Sequence, residues 1–193
     1  FISVVFTTIH FLLFKFVIIS INKWGINMSY IGVVYDSKYG GSKKYAEMIA
    51  QELDAALISK SKVNFHLISS YEIIIFGGEI YTGSISGIDI ITDSFYNIKN
   101  KDIIVFTVGQ SDPSIKENNE DIVKNFKDKV KDDVFNVVKL YNFRHGINYK
   151  SLSFMDSLML NRKYKSLQNK KKLNVEEKFL VDNYNKEFDF DDK

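Results

Sequence analysis

The sequence predicts an α/β domain: a parallel sheet with helices on both faces. Three observations carry this. A short continuous apolar run at 31–35 and two predominantly apolar runs at 71–76 and 102–108 recur along the chain, as strands buried on both faces require. Segments with helical spacing separate them, so strand and helix alternate along the chain. Glycine or Gly–Ser turns follow each run, at 40–42, 77–78 and 109, where the strand ends of such a sheet present ligand-binding loops.

Size and composition narrow the class. The 193 residues suit one domain with a sizeable core, and 45% of them are apolar, a globular rather than a disordered composition. A single Pro argues against a Pro-rich linker. There is no Cys, which excludes disulfides, thiolate metal sites and thiol chemistry, so redox activity would need a bound cofactor. His10, His66 and His145 are too scattered for a metal-site motif, and no metal is expected. A net charge of +2 gives no electrostatic case for nucleic acid. Lys170, Lys171 and Lys172 read as a solvated helix end.

Residues 1–27 form an apolar extension long enough to cross a bilayer, with Lys15 set inside it, where a charge is costly. Met28 lies three residues before the first strand. The expectation is a mis-started extension, with a membrane anchor as the runner-up and a signal peptide third. The folded domain is placed at 28–168 and a polar helical tail at 169–193.

In chain order, Ile31-Gly32-Val33-Val34-Tyr35 is the first strand. Ser42 to Leu53 is a helix with Tyr45, Met48, Ile49 and Leu53 on one face. Ala55 to Ser59 is a short second strand, and Val63 to Ser70 is left open between strand and connector. Tyr71 to Phe76 is the next strand, ended by Gly77-Gly78. Ile85 to Ile98 is a helix despite its β-branched content. Asp102 to Val108 is a strand, and Lys116 to Asp132 a charged amphipathic helix carrying Ile122, Val123, Phe126 and Val130. Val134 to Leu140 is the last strand, and Ser151 to Leu167 the last helix of the core.

The loop Asp36-Ser37-Lys38-Tyr39-Gly40-Gly41-Ser42 joins the first strand to the first helix. First-turn N–H groups lack intrahelical partners and the helix dipole favours an anion. Gly40 and Gly41 permit a close wrap, Ser37 and Ser42 can donate hydroxyls, and Lys38 can add charge. A plain turn with Ser42 as N-cap is the alternative. The spacing fits neither Gly-x-x-x-x-Gly-Lys-Ser/Thr nor Gly-x-Gly-x-x-Gly.

From Val33 to Ala46 the sequence resembles the FMN phosphate loop of the flavodoxin family. The branch it is most similar to is the flavodoxin-like protoporphyrinogen dehydrogenases and their clostridial-type relatives, whose loop reads Ser-Thr-x-x-Gly-x-Thr. Ser37, Gly40 and Ser42 fall on its second, fifth and seventh positions. Asp36 departs from it: a carboxylate there must turn away or weaken FMN. Gly78-Glu79-Ile80-Tyr81-Thr82-Gly83 resembles the family's first ring-contacting loop, with Tyr81 the candidate for stacking on the isoalloxazine. Gly109-Gln110-Ser111 would approach the ring from the other side.

The resemblance covers roughly 28–167. It implies a flavodoxin-like doubly wound sheet of five parallel strands, order 2-1-3-4-5, and FMN held by Ser37, Lys38, Tyr39, Gly40, Gly41, Ser42, Gly78, Glu79, Ile80, Tyr81, Thr82, Gly83, Gly109, Gln110 and Ser111. It further implies an oxidoreductase, with a porphyrinogen-type substrate and a quinone acceptor. An FMN electron carrier between partner proteins is the alternative, and a flavin-free interaction module the third reading. A receiver domain is set aside because Gly77-Gly78 stands where its Asp should be. Arg144 is a candidate partner for a substrate carboxylate or the cofactor phosphate, and His145 for proton transfer; solvated loop residues are the alternative, and no catalytic residue is assigned. The expected partner is a redox protein or a quinone. The expected location is cytoplasmic, with peripheral membrane contact as the variant.

Overall fold

The computed structural model describes residues 30–81, 84–146 and 148–186; the apolar extension at 1–27 lies outside them. In chain order the elements are β1 (Ile31–Asp36), α1 (Gly41–Leu53), β2 (Ala56–Ser59), α2 (Phe65–Ser69), β3 (Ile73–Tyr81), β4 (Ser84–Ile85), α3 (Asp89–Ile98), β5 (Asp102–Gly109), α4 (Lys116–Lys129), α5 (Asp132–Val137), β6 (Lys139–Arg144), α6 (Phe154–Gln168) and α7 (Val175–Asp182). The sheet runs β2-β1-β3-β5-β6 with every neighbour on that path parallel. The two-residue β4 pairs antiparallel with the end of β3. Counting the parallel strands alone, this is the expected order 2-1-3-4-5 in a flavodoxin-like α/β fold.

Strand alternation builds two cores. Ile31, Val33, Ile73, Ile75, Ile104, Phe106 and Val108 face one way and pack against Tyr45, Ala46, Ile49, Ala50 and Leu53 of α1. Val34, Ile74, Phe76, Ile103 and Val105 face the other way, against Ile91, Phe95 and Ile98 of α3, Phe126 of α4 and Val134 of α5. Phe76, Phe106 and Phe126 are completely enclosed, each contributing on the order of 2–3 kcal/mol of burial. Within the first core, Phe106 meets Phe143 edge to face, and Phe143 stacks on Tyr45 at 4.8 Å between ring centres. The Tyr45 hydroxyl donates to the Arg144 carbonyl at 2.7 Å, tying α1 to the end of β6.

Four elements differ from expectation. The last strand lies at Lys139–Arg144, and the stretch from Asp132 to Val137 is helical. Asp132 and Asp133 favour a helix start there, and Val134 turns into the core beside Phe126. Asn142 hid the true strand, because an amide in a buried run reads as a break. It is buried and paired: the Thr107 hydroxyl donates to its Oδ1 at 2.6 Å, and its Nδ2 donates to Asn119 Oδ1 at 2.7 Å. Second, β3 continues beyond Gly77-Gly78 to Tyr81, because β5 pairs with it as far as Glu79↔Val108 and β4 takes up Ile80 and Tyr81. Third, α3 begins at Asp89, four residues late, since Ser84–Ile85 is used by that hairpin. Fourth, the open segment 63–70 contains a short helix, capped by Asn64 Oδ1 accepting from the Leu67 N–H.

Candidate functional site

The carboxyl ends of β1, β3, β5 and β6 converge where α1 begins. Gly40 precedes that helix with φ of 93°, a left-handed conformation that glycine adopts without strain. The turn aims backbone N–H groups at one point, and an anion already sits on it: the Glu79 side chain from β3. Ser37 Oγ donates to Glu79 Oε1 at 2.7 Å, the Lys38 N–H to Oε2 at 3.0 Å and the Gly41 N–H to Oε1 at 3.1 Å. The Tyr39 N–H reaches both oxygens at 3.3 Å. Ser37 Oγ also accepts from the Gly40 N–H at 3.0 Å, which fixes the hydroxyl's direction. This is a nest of converging donors at a helix N-terminus, the donor set that a phosphate monoester requires.

The carboxylate expected to trouble this loop was that of Asp36. The structure turns it aside: its side chain lies against Gly87, where an added Cβ would come within 2.5 Å of it. The Asp36 carbonyl accepts from Ser42 Oγ at 2.5 Å. Ser42 is wholly buried and its hydroxyl therefore braces the loop from behind. It is not the N-cap, a position held by Gly40.

Lys38 contributes its backbone N–H to the nest, while its ammonium turns to α6. It meets Asp156 Oδ2 at 2.6 Å. The Tyr39 hydroxyl donates to the same oxygen and accepts from the Ser153 N–H at 3.1 Å. The hydrogen bond to Asp156 raises the Lys38 pKa above the usual 10.5, outweighing the desolvation that lowers it. Desolvation pushes the Asp156 carboxyl up, but hydrogen bonds from Lys38 and Tyr39 with the Lys38 charge hold it below its ordinary value. Asp156, only 6% exposed, thus bolts α6 to the loop. Nothing in the sequence singled it out, since a carboxylate in the first turn of a helix is commonplace. Its register three residues after the cap Ser153 was the one available clue.

The segment predicted as the second loop is a strand end: Gly78, Glu79, Ile80 and Tyr81 belong to β3. The Tyr81 side chain, Thr82 and Gly83 lie outside the described residues. In the third segment Gly109 closes β5, and Gln110 and Ser111 follow it as a loop that is firmly held. Arg144 Nε donates to the Gln110 carbonyl at 2.8 Å and its guanidinium pairs with Asp112 Oδ2 at 3.0 Å, while its charge lies 4.7 Å from the Phe179 ring centre of α7. Arg144 is therefore tied to Gln110 and Asp112 of this loop rather than left in solvent. His145 donates its N–H to the Gly109 carbonyl at 2.8 Å and its ring packs on Gly41. Two clefts open between these parts. One of about 120 Å³ is lined by Tyr39, Glu79, Ile80, Gly109 and His145. The other, about 530 Å³, lies between Ile80, Gln110, Asn118, Asp121, Asp156 and Lys163. Among the described residues no cluster of His or carboxylates suits a metal ion, and no helix is long and apolar enough to cross a membrane.

Solved structures similar to this chain include oxidised flavodoxin 2 from Bacillus cereus, 18% identical over 60% of this chain and 84% of that one, with a TM-score of 0.45. The Trp repressor binding protein from Bacillus subtilis is 19% identical over 58% and 80%, at 0.42. A Lactobacillus acidophilus flavoprotein in complex with FMN is 16% identical over 60% and 92%, at 0.38. No curated protein matches the chain. The model of the flavodoxin domain matches residues 32–174, a stretch that holds the nest, the strand ends around it and the bolt of α6. Membership points to a flavin cofactor, and on that match the chain belongs to the flavodoxin domain family.

Proposed function

We propose that the chain binds FMN and carries out redox chemistry with it. The observation that supports this most is the nest: Ser37 Oγ and the N–H groups of Lys38, Tyr39 and Gly41 already hold a carboxylate, and a phosphate asks for the same donors. The residues fit the group. Ser37, Lys38, Tyr39, Gly40 and Gly41 would hold the phosphate, with Ser42 bracing the turn. Gly78, Ile80 and Tyr81, with the backbone alone of Glu79, on one side and Gly109, Gln110 and Ser111 on the other would border the ring. The flavin, when bound, supplies one- and two-electron transfer. The protein's part is to hold and orient it, and to fix the third loop through Arg144.

The cleft of about 530 Å³ beside Gln110 shares Ile80, Gly109, Gln110 and Ser111 with the residues that would border the ring, so it is counted as room for the flavin in both redox readings. A porphyrinogen-type substrate with a quinone acceptor is the version that the sequence resemblance favours. A redox partner protein would take the acceptor's place in a carrier. The test begins with the visible spectrum of the purified chain and a fluorescence titration with FMN: flavin bands and saturable quenching are expected, and a folded protein that never takes up FMN refutes the proposal. Quinone-dependent oxidation of a porphyrinogen then separates enzyme from carrier.

A further inference from the structure

We propose that Glu79 is a resident anion of the nest, displaced when a phosphorylated ligand enters, and that it thereby sets how strongly the site discriminates phosphorylated from unphosphorylated flavins. This rests on the FMN reading above. The carboxylate is not a passing neighbour: it takes up Ser37 Oγ and three backbone N–H groups. A phosphate cannot share those donors with it, because two anions in one small nest repel and each donor has one hydrogen to give.

The exchange requires no movement of the main chain. The Glu79 N–H donates to Ser86 Oγ at 3.0 Å and its carbonyl accepts from the Ser86 N–H at 2.9 Å. Its backbone is also paired across to Val108. Only the side chain has to turn, and the adjoining cleft of about 120 Å³, which Glu79 itself lines, gives it room. Lys38 Nζ offers the carboxylate no competing pull, being engaged by Asp156. A ligand bearing a phosphate must therefore break the Glu79 contacts before forming its own, whereas a ligand without one leaves them intact. Glu79 narrows the gap in affinity between the two.

The test uses the full chain and the variants Glu79→Ala, which removes charge and acceptors, and Glu79→Gln, which removes the charge and one of the two acceptor oxygens. Each is stripped of flavin and titrated with FMN, riboflavin and inorganic phosphate. Binding is followed by flavin fluorescence and by the backbone amide resonances of Lys38, Tyr39 and Gly41. Both variants are expected to bind FMN about tenfold or more tightly than the unaltered chain, the scale of losing one charge-assisted competitor. Riboflavin affinity stays within about twofold. Inorganic phosphate shifts the three amides at lower concentration in the variants. Equal or weaker binding of FMN and phosphate in both variants overturns the proposal. Should no form of the protein bind FMN, the cofactor reading fails, and the phosphate titration still decides on Glu79: tighter phosphate upholds it as the resident anion, unchanged phosphate overturns it.

Discussion

Gly77→Ala probes the strands that position the site. Gly77 stands opposite Phe106 across β3 and β5, and the Phe106 ring lies over it. A Cβ on Gly77 would fall 2.0 Å from the ring's Cζ, with two further ring atoms at 2.4 and 2.6 Å, far inside van der Waals contact. The ring has nowhere to go: Phe106 is fully enclosed and braced by Phe143. Overpacking of this kind costs about 1–3 kcal/mol, and the absence of free volume puts this case near the upper end. For a domain of this size each kcal/mol lowers Tm by about 2–4 °C, so Gly77→Ala should melt about 6–10 °C below the unaltered chain. Circular dichroism melts measure this, and a double-mutant cycle locates its cause. Phe106→Leu is destabilising alone, but combined with Gly77→Ala it should recover part of the loss, with a coupling of about 1 kcal/mol or more. A Gly77→Ala variant that melts with the unaltered chain, or one whose loss simply adds to that of Phe106→Leu, refutes the claim that ring and glycine share one space.

Three further outcomes are expected. Ser37→Ala removes a hydroxyl that serves Glu79 in the free protein and would serve the phosphate in the complex, so FMN should weaken by about 2–5-fold in the unaltered chain and by about tenfold or more in Glu79→Ala, where the competitor is gone; isothermal titration of both backgrounds checks it. Thr107→Val keeps the shape of a buried residue but strands the Asn142 Oδ1 it serves, at a cost of about 1–3 kcal/mol in chemical denaturation. The Lys38–Asp156 bolt should depend on pH with a definite sign. The folded-state Asp156 pKa is depressed, so its contribution is present above the unfolded carboxylate value and is lost as pH falls through the folded one. That of Lys38 is raised, so its contribution is complete below 10.5 and is lost only as pH rises through the folded value. A Lys38→Met, Asp156→Asn double-mutant cycle should therefore show coupling at neutral pH that is lost only on acidification below the ordinary carboxylate range.

Much of this was legible in the sequence, for physical reasons that differ by segment. Ile31 to Tyr35 and Ile103 to Val108 declare themselves because a strand covered on both faces is apolar at nearly every position. The first loop was readable because glycines and hydroxyls at a helix start form a local pattern. What escaped depends on contacts distant in sequence. Gly77 looks like a strand terminator until Phe106 is seen lying on it. Asn142 looks like a break until Thr107 and Asn119 satisfy it. Arg144 looks like a free cation at a site mouth until Asp112 claims it, and Asp156 acquires meaning only from Lys38 and Tyr39, more than a hundred residues earlier. Glu79 was assigned to the cofactor's surroundings, but no spacing rule says that its carboxylate turns back onto the neighbouring loop.

Amide chemical-shift mapping during an FMN titration tests the cofactor claim most directly. Uptake of FMN should move the backbone amides of Lys38, Tyr39, Gly40 and Gly41 together, saturably and with the same midpoint as the flavin fluorescence, while the distant α2 amides from Phe65 to Ser69 stay still. Saturable flavin binding that leaves those four amides unmoved, or no binding by a folded chain, would contradict it.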